Sequence, residues 1–176
     1  MNPSALQDDN LIMGIETITY RPIGVIHTPF KEPKGTPIQP TAAPDVEGTV
    51  EVFTEFAEGL RDLGDFSHIV LVYHFHLSKK ASLMVKPYME ETERGVFATR
   101  APARPNPIGI SVVRLVRLEG NILRIKGVDM VDGTPLLDIK PYVPEFDVGG
   151  RKKRGWLKEN LRKLPETRDD GRFSEG

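Results

Sequence analysis

The chain has 176 residues, enough for one domain with a sizeable core, and its 39% hydrophobic and 28% charged residues exclude wholesale disorder. Glycine and proline together supply 31 residues, about half as much again as ordinary usage, which cuts the chain into short elements and excludes a long bundle or coiled coil. Zero cysteines exclude a disulfide framework, a thiolate metal site and a thiol nucleophile, while the net charge of −1 conceals −5 over residues 1–148 and +4 over residues 149–176.

Residues 1–16 carry Asp8, Asp9 and Glu16 and no Lys or Arg, the reverse of a signal peptide's basic front, and read as a flexible leading segment. The longest strongly apolar run, residues 69–73, is far shorter than the roughly 20 residues of a membrane helix. The expectation is a soluble, cytoplasmic protein that does not enter the membrane.

Residues 18–28 are β-branched and predict a strand, with Pro22 demanding an edge or a bulge. Residues 31–45 form a loop holding Pro33, Pro37, Pro40 and Pro44, and residues 48–53 alternate as a second strand. Phe56, Leu60 and Leu63 share a face of a short helix over 55–63, with Gly64 placed for its C′ position. The strongest strand is 66–77, followed by candidates at 95–100, 111–118, 121–128 and 136–139, with a hairpin turn at Glu119-Gly120-Asn121. Beyond Gly155, Trp156, Leu157, Leu161 and Leu164 share a helical face that Pro165 ends, and the last dozen residues read as a mobile tail. Many short strands without intervening helices predict a mainly β domain over 17–148, a small antiparallel barrel with one or two short helices and no Rossmann core. A basic helix and tail follow over 149–176.

Three stretches carry candidate chemistry. In strand 66–77, simple alternation points His68, Val70, Val72, His74 and His76 one way. With no carboxylate or cysteine cluster at ligand spacing, these histidines read as hydrogen-bonded or ligand-contacting rather than metal-binding. Residues 95–109 hold Arg100 and Arg104, then an Arg-Pro-Asn-Pro-Ile-Gly turn in which two prolines stiffen Asn106. Such arginines fork onto a carboxylate or phosphate, or pair with local acids in an ordinary surface turn. Residues 128–142 hold Asp129, Asp132 and Asp138 with Lys140 and Tyr142, and spacing alone does not choose between a turn and a carboxylate that takes a proton, binds a ribose hydroxyl or faces a cation. The basic run Arg151-Lys152-Lys153-Arg154 suits a phosphate backbone through counterion release, and equally a solvated face. No dinucleotide fingerprint, P-loop or nucleophile elbow is present.

These segments together resemble the TrmO (TsaA-like) family of S-adenosylmethionine-dependent tRNA methyltransferases. The matching stretches are Ile23-Gly-Val-Ile26 with Pro29-Phe30, Phe66-Ser-His68, Gly95-Val-Phe-Ala-Thr-Arg100, Arg104-Pro-Asn-Pro-Ile-Gly109 with Ser111, and Asp132-Gly-Thr-Pro135 with Asp138-Ile-Lys-Pro-Tyr142. The resemblance implies a barrel enzyme, homodimeric, with its cofactor pocket near the subunit interface. The implied reaction is methylation of N6 of N6-threonylcarbamoyladenosine beside the anticodon of tRNA. It implies cofactor contacts at Pro37, Ile38, Gln39, Pro40, His76, Leu77, Arg100, Ile110, Gly127, Val128, Asp129 and Met130. Arg104, Asn106, Asp138 and Lys140 are the catalytic candidates. Arg104 is also expected on the acceptor's carboxylate, and Lys152, Lys153 and Arg154 on tRNA. Longer bacterial members carry Arg where this chain has Ile38 and Gln where it has Leu77. A non-catalytic S-adenosylmethionine-binding module and a small-molecule methyltransferase are the alternatives.

Overall fold

The structure, a computed structural model, describes residues 17–146, 157 and 160–174. Six antiparallel strands close into a barrel in the order β1 (Gly24–His27), β2 (Glu47–Val52), β7 (Ile122–Lys126), β6 (Ile108–Glu119), β3 (His68–His74), β8 (Thr134–Pro141), and β8 returns to β1. A separate two-stranded pair, β4 (Met84–Val85) with β5 (Arg94–Gly95), stands beside it. The mainly β, non-Rossmann barrel expected from the sequence is the fold observed.

Strict alternation explains the core. Along β3 and β6 every second residue is buried, so Ile69, Leu71, Tyr73, Ser111 and Val113 point inward against Ile26, Val50, Val52, Leu123, Ile125 and Leu136. Each fully buried aliphatic contributes about 1.5–3 kcal/mol, which makes this cluster the main stabilising term. The turn at residues 120–121 joins β6 to β7 with Gly120 at φ +61°, a conformation glycine adopts freely, and Asn121 Nδ2 donates to Val52 O at 2.7 Å.

Several local expectations are corrected. The first strand is confined to Gly24–His27, since Pro22 interrupts the extended run and leaves Ile18 and Tyr20 exposed. The segment expected as an α-helix over 55–63 is a pair of 3-10 turns, Thr54–Leu60 and Leu63–Asp65, parted by Asp62 at φ +65°. Phe56, Leu60 and Leu63 still pack on the core as their spacing required. Residues 95–100 are a strand only at Gly95, after which Val96–Ala98 winds into a 3-10 turn. Of the C-terminal helix, only residue 157 and residues 160–164 fall among those described, and Leu161–Lys163 there forms a 3-10 turn. The described part of the tail is not loose: Phe173 packs against a second small core of Val85, Val96, Ala101 and Ala103.

Candidate functional site

One end of the barrel, where β3 and β7 finish and β6 and β8 begin, opens into a cavity of about 680 Å³. That size lies within the range of small-molecule sites. Its wall combines Tyr73, Gly109, Asp129, Met130 and Thr134 from the barrel mouth with Ile38 and Gln39, His76 and Leu77, and Arg100 from the surrounding loops.

At the mouth lies a connected polar group. Ser111 Oγ donates to Asp129 Oδ1 at 2.7 Å, and Tyr73 Oη lies 3.0 Å from the same serine oxygen. Burial raises the Asp129 carboxyl to about 7, against the opposing pull of the serine hydrogen bond and the Arg100 charge. Burial, and then the nearby Asp129, push the Tyr73 phenol up as well. Tyr73 has room because Gly109 faces it across the β3–β6 ladder: a Cβ there would fall 2.2 Å from Tyr73 Cε2.

The loop residues are positioned by their own hydrogen bonds. Arg100 Nη1 donates to Gln39 Oε1 at 2.7 Å, an exposed latch between two loops that sequence distance gave no reason to join. Arg104 Nη1 donates to the carbonyls of Val96, Thr99 and Ala101 at 3.3, 3.0 and 3.2 Å. It therefore clamps the loop that carries Arg100 into place, with Phe97 beneath the guanidinium at 6.0 Å. β3 ends at His74, so His76 does not continue the outward row of His68, Val70, Val72 and His74. His76 N donates to His74 O at 2.9 Å, and the turned chain presents His76 to the cavity, where burial and then the His74 charge lower its pKa.

Of the expected site residues, Pro37, Ile38, Gln39, His76, Leu77, Arg100, Arg104, Ile110, Asp129 and Met130 line this cavity. Pro40, Gly127 and Val128 do not. Val128 is fully buried in the barrel core, and Gly127, at φ +80°, packs behind the wall near Pro40. Asn106, Asp138 and Lys140, expected as catalytic groups, also lie outside it. Leu137 is an extra residue between the pairs Leu136–Tyr73 and Asp138–Val72, so parity shifts and Asp138 joins Val72 on the outer face. There its carboxylate pairs with Lys140 Nζ at 2.7 Å in the open. Asn106 sits at the exposed tip of its proline turn. Asp132 is a staple: Oδ1 accepts Thr28 N and Oδ2 accepts Lys31 Nζ at 2.7 Å, the latter bond chiefly holding its pKa down. Lys152, Lys153 and Arg154 lie outside the described residues.

Sequence reasoning missed Tyr73, Ser111, Tyr88, Thr134 and Asp169. Ser111 alone left a signal, as a lone hydroxyl at an inward position of an apolar strand. Among the described residues no helix is long and apolar enough to cross a membrane.

Known proteins share this sequence and this fold. The chain is 69% identical over 89% of its length to the "Probable S-adenosyl-L-methionine-binding protein" of Pyrococcus abyssi, covering 85% of that protein. It is 34% identical over 81% of its length to the human tRNA (adenine(37)-N6)-methyltransferase, of which it covers only 32%. Among solved structures it superposes on TrmO from Pseudomonas aeruginosa with a TM-score of 0.66 at 42% identity, covering 80% of this chain and 62% of that one. The tRNA-methyltransferase O N-terminal domain model matches residues 25–148, which takes in the six barrel strands save Gly24 and the mouth residues Tyr73, Arg100, Ser111 and Asp129. The chain belongs to the TrmO N-terminal-domain family.

Proposed function

We propose that this chain binds S-adenosylmethionine in the barrel-mouth cavity and, in the cytoplasm, methylates N6 of N6-threonylcarbamoyladenosine at position 37 of tRNA. The observation that carries the reading is the convergence of Gln39, His76, Arg100, Asp129 and Met130, from four separate segments, on one cavity of cofactor size.

The residues present fit the cofactor's chemistry. S-Adenosylmethionine supplies an electrophilic methyl group on a sulfonium cation, so transfer depends mainly on alignment of donor and acceptor. Asp129 offers the cavity a carboxylate whose charge is present above about pH 7 and complements that cation. Arg100, latched by Gln39, offers a guanidinium for the amino-acid carboxylate. Ile38, Leu77 and Met130 supply apolar wall where longer bacterial members use polar groups at the first two positions. Arg104 acts by holding the Arg100 loop, with its Nη1 already engaged by three carbonyls.

A second copy of the chain completes the reading. Ile108, Ile110, Val112 and Val116 are 40%, 53%, 37% and 50% exposed along the outer face of β6. Ile108, Ile110 and Val112 form an apolar stripe, parted from Val116 by Arg114, that is costly in water and suits a self-complementary contact. Ile110 belongs to both the stripe and the cavity wall, which would set the site beside the interface.

The alternative, a module that binds S-adenosylmethionine without transferring its methyl, is favoured by the name of the Pyrococcus abyssi relative, which mentions binding only. Calorimetric titration of S-adenosylmethionine and of its neutral product S-adenosylhomocysteine tests the cavity assignment common to both readings. Asp129→Asn should weaken binding of the cation about tenfold relative to the neutral product. Equal affinities of the variant and the wild type for both ligands would remove the cavity's central residue from the account.

A further inference from the structure

Residues 157–174 lie beyond the domain that defines the family, yet their described part forms one side of the cavity through Leu157, Leu161, Leu164, Asp169 and Phe173. The segment is tied down on both flanks. On one, Gly35 N donates to Asp169 O at 2.6 Å, Asp169 N donates to Thr36 O at 2.9 Å, and Arg168 bridges to Pro37. On the other, Lys163 Nζ donates to Met89 O at 3.1 Å, Arg172 Nη1 reaches the carbonyls of Lys86 and Pro87, and Phe173 packs edge-on against Tyr88 at 5.2 Å.

Where the flanks meet, a second polar pair lines the cavity. Tyr88 Oη is buried beside the Asp169 carboxylate, close enough for the two to act on each other but without a hydrogen bond of sound geometry, and Asp169 Oδ1 accepts the backbone N of Gly171 at 2.7 Å. Burial raises both groups' pKa values, the Tyr88 phenol strongly so. A buried phenol without a hydrogen-bond partner, set against a partly desolvated carboxylate, costs stability until a ligand supplies the missing partner. A carbonyl would satisfy the phenol alone, and an ammonium the carboxylate alone. A hydroxyl serves both, since it accepts from one group and donates to the other.

We propose that Tyr88 and Asp169 form a subsite for a ribose hydroxyl, contributed by the C-terminal segment and lying outside the barrel-mouth group around Asp129. The proposal rests on the cofactor-and-nucleotide reading given above, because both molecules carry ribose. The cofactor offers a full 2′,3′-diol, and a nucleotide within an RNA chain only its 2′-hydroxyl.

Two pairs of ligands separate these sources: S-adenosylhomocysteine against its 2′-deoxy analogue, and an anticodon stem-loop RNA against the same RNA with one deoxyribose at position 37. Calorimetry on the full chain should show the 2′-deoxy ligand binding about 10–50-fold more weakly in one pair. In Tyr88→Phe, which keeps the ring packed on Phe173, or in Asp169→Asn, which keeps an acceptor for Gly171, that discrimination should shrink at least threefold. Discrimination lost in the first pair assigns the cofactor's ribose, and in the second the acceptor's. A wild type indifferent to the hydroxyl in both pairs, or discrimination unchanged in both variants, overturns the subsite. A wild type that binds no S-adenosylhomocysteine at all refutes the cofactor reading instead, and the RNA pair then decides the subsite alone.

Discussion

Replacing Asp129 by asparagine should stabilise the protein at alkaline pH, and the structure sets the size of the effect. The wild-type carboxyl titrates at about 7 in the folded chain, against about 4 for an ordinary unfolded aspartate. Between those values the native state keeps a proton that the unfolded chain has released. The free energy of unfolding from this group therefore falls as pH rises, by about 1.4 kcal/mol per pH unit, and levels off above about pH 7. The full window amounts to at most about 4 kcal/mol, reduced where solvent in the cavity reaches the carboxyl. Asparagine keeps an oxygen to accept the Ser111 hydroxyl and carries no charge in either state. Urea unfolding at intervals from pH 4 to pH 8 should find the two proteins matched within about 1 kcal/mol at pH 4, with the variant ahead by about 1–4 kcal/mol at pH 8. The raised Asp169 is common to both proteins and cancels in the difference. Parallel profiles, with no widening gap between pH 5 and 7, would show that Asp129 is an ordinary solvated carboxylate and would undo the electrostatic account of the mouth.

The remaining predictions concern the cavity, the outer face and the tail. Gly109→Ala should cost about 1–3 kcal/mol and weaken ligand binding, since its Cβ would meet the Tyr73 ring at 2.2 Å; thermal melts and titrations read both, and an unaffected variant would mean that the ring has room to move. In light scattering the wild type should have the mass of a dimer and Ile110→Lys, with 53% of the residue exposed, that of a folded monomer; a monomeric wild type or a dimeric variant would exclude this face as the contact. Neutralising Lys152, Lys153 and Arg154 together should weaken tRNA binding and flatten its dependence on salt, the slope of log K against log salt falling by about 2–3. An unchanged slope would leave these residues without a role in holding RNA.

Much of the fold was legible because its signals are local. Alternation in β3 separated its two faces as far as His74, and the Gly120-Asn121 turn identified the hairpin between β6 and β7. What was lost depended on single-residue geometry. The bulge at Leu137 reverses parity along β8 and turns Asp138 and Lys140 to the outer face, and nothing in Asp-Gly-Thr-Pro-Leu-Leu-Asp announces it. The turn after His74 does the opposite for His76 and delivers it to the cavity. Arg104 shows a further limit: residue type pointed to an anion, while its Nη1 engages three carbonyls of its own loop. Tyr88 and Asp169 were out of reach for another reason, since 80 residues separate them and only tertiary packing of the C-terminal segment brings them to one cavity.

The most direct test of the central claim is methyl transfer itself. The full chain is incubated with methyl-labelled S-adenosylmethionine and tRNA, with and without the threonylcarbamoyl group on adenosine 37, and the digested nucleosides are separated. Label in N6-methylated threonylcarbamoyladenosine, and none from the unmodified tRNA, is the predicted result. Saturable binding of S-adenosylmethionine with no label in either tRNA would contradict it and leave the binding module as the function.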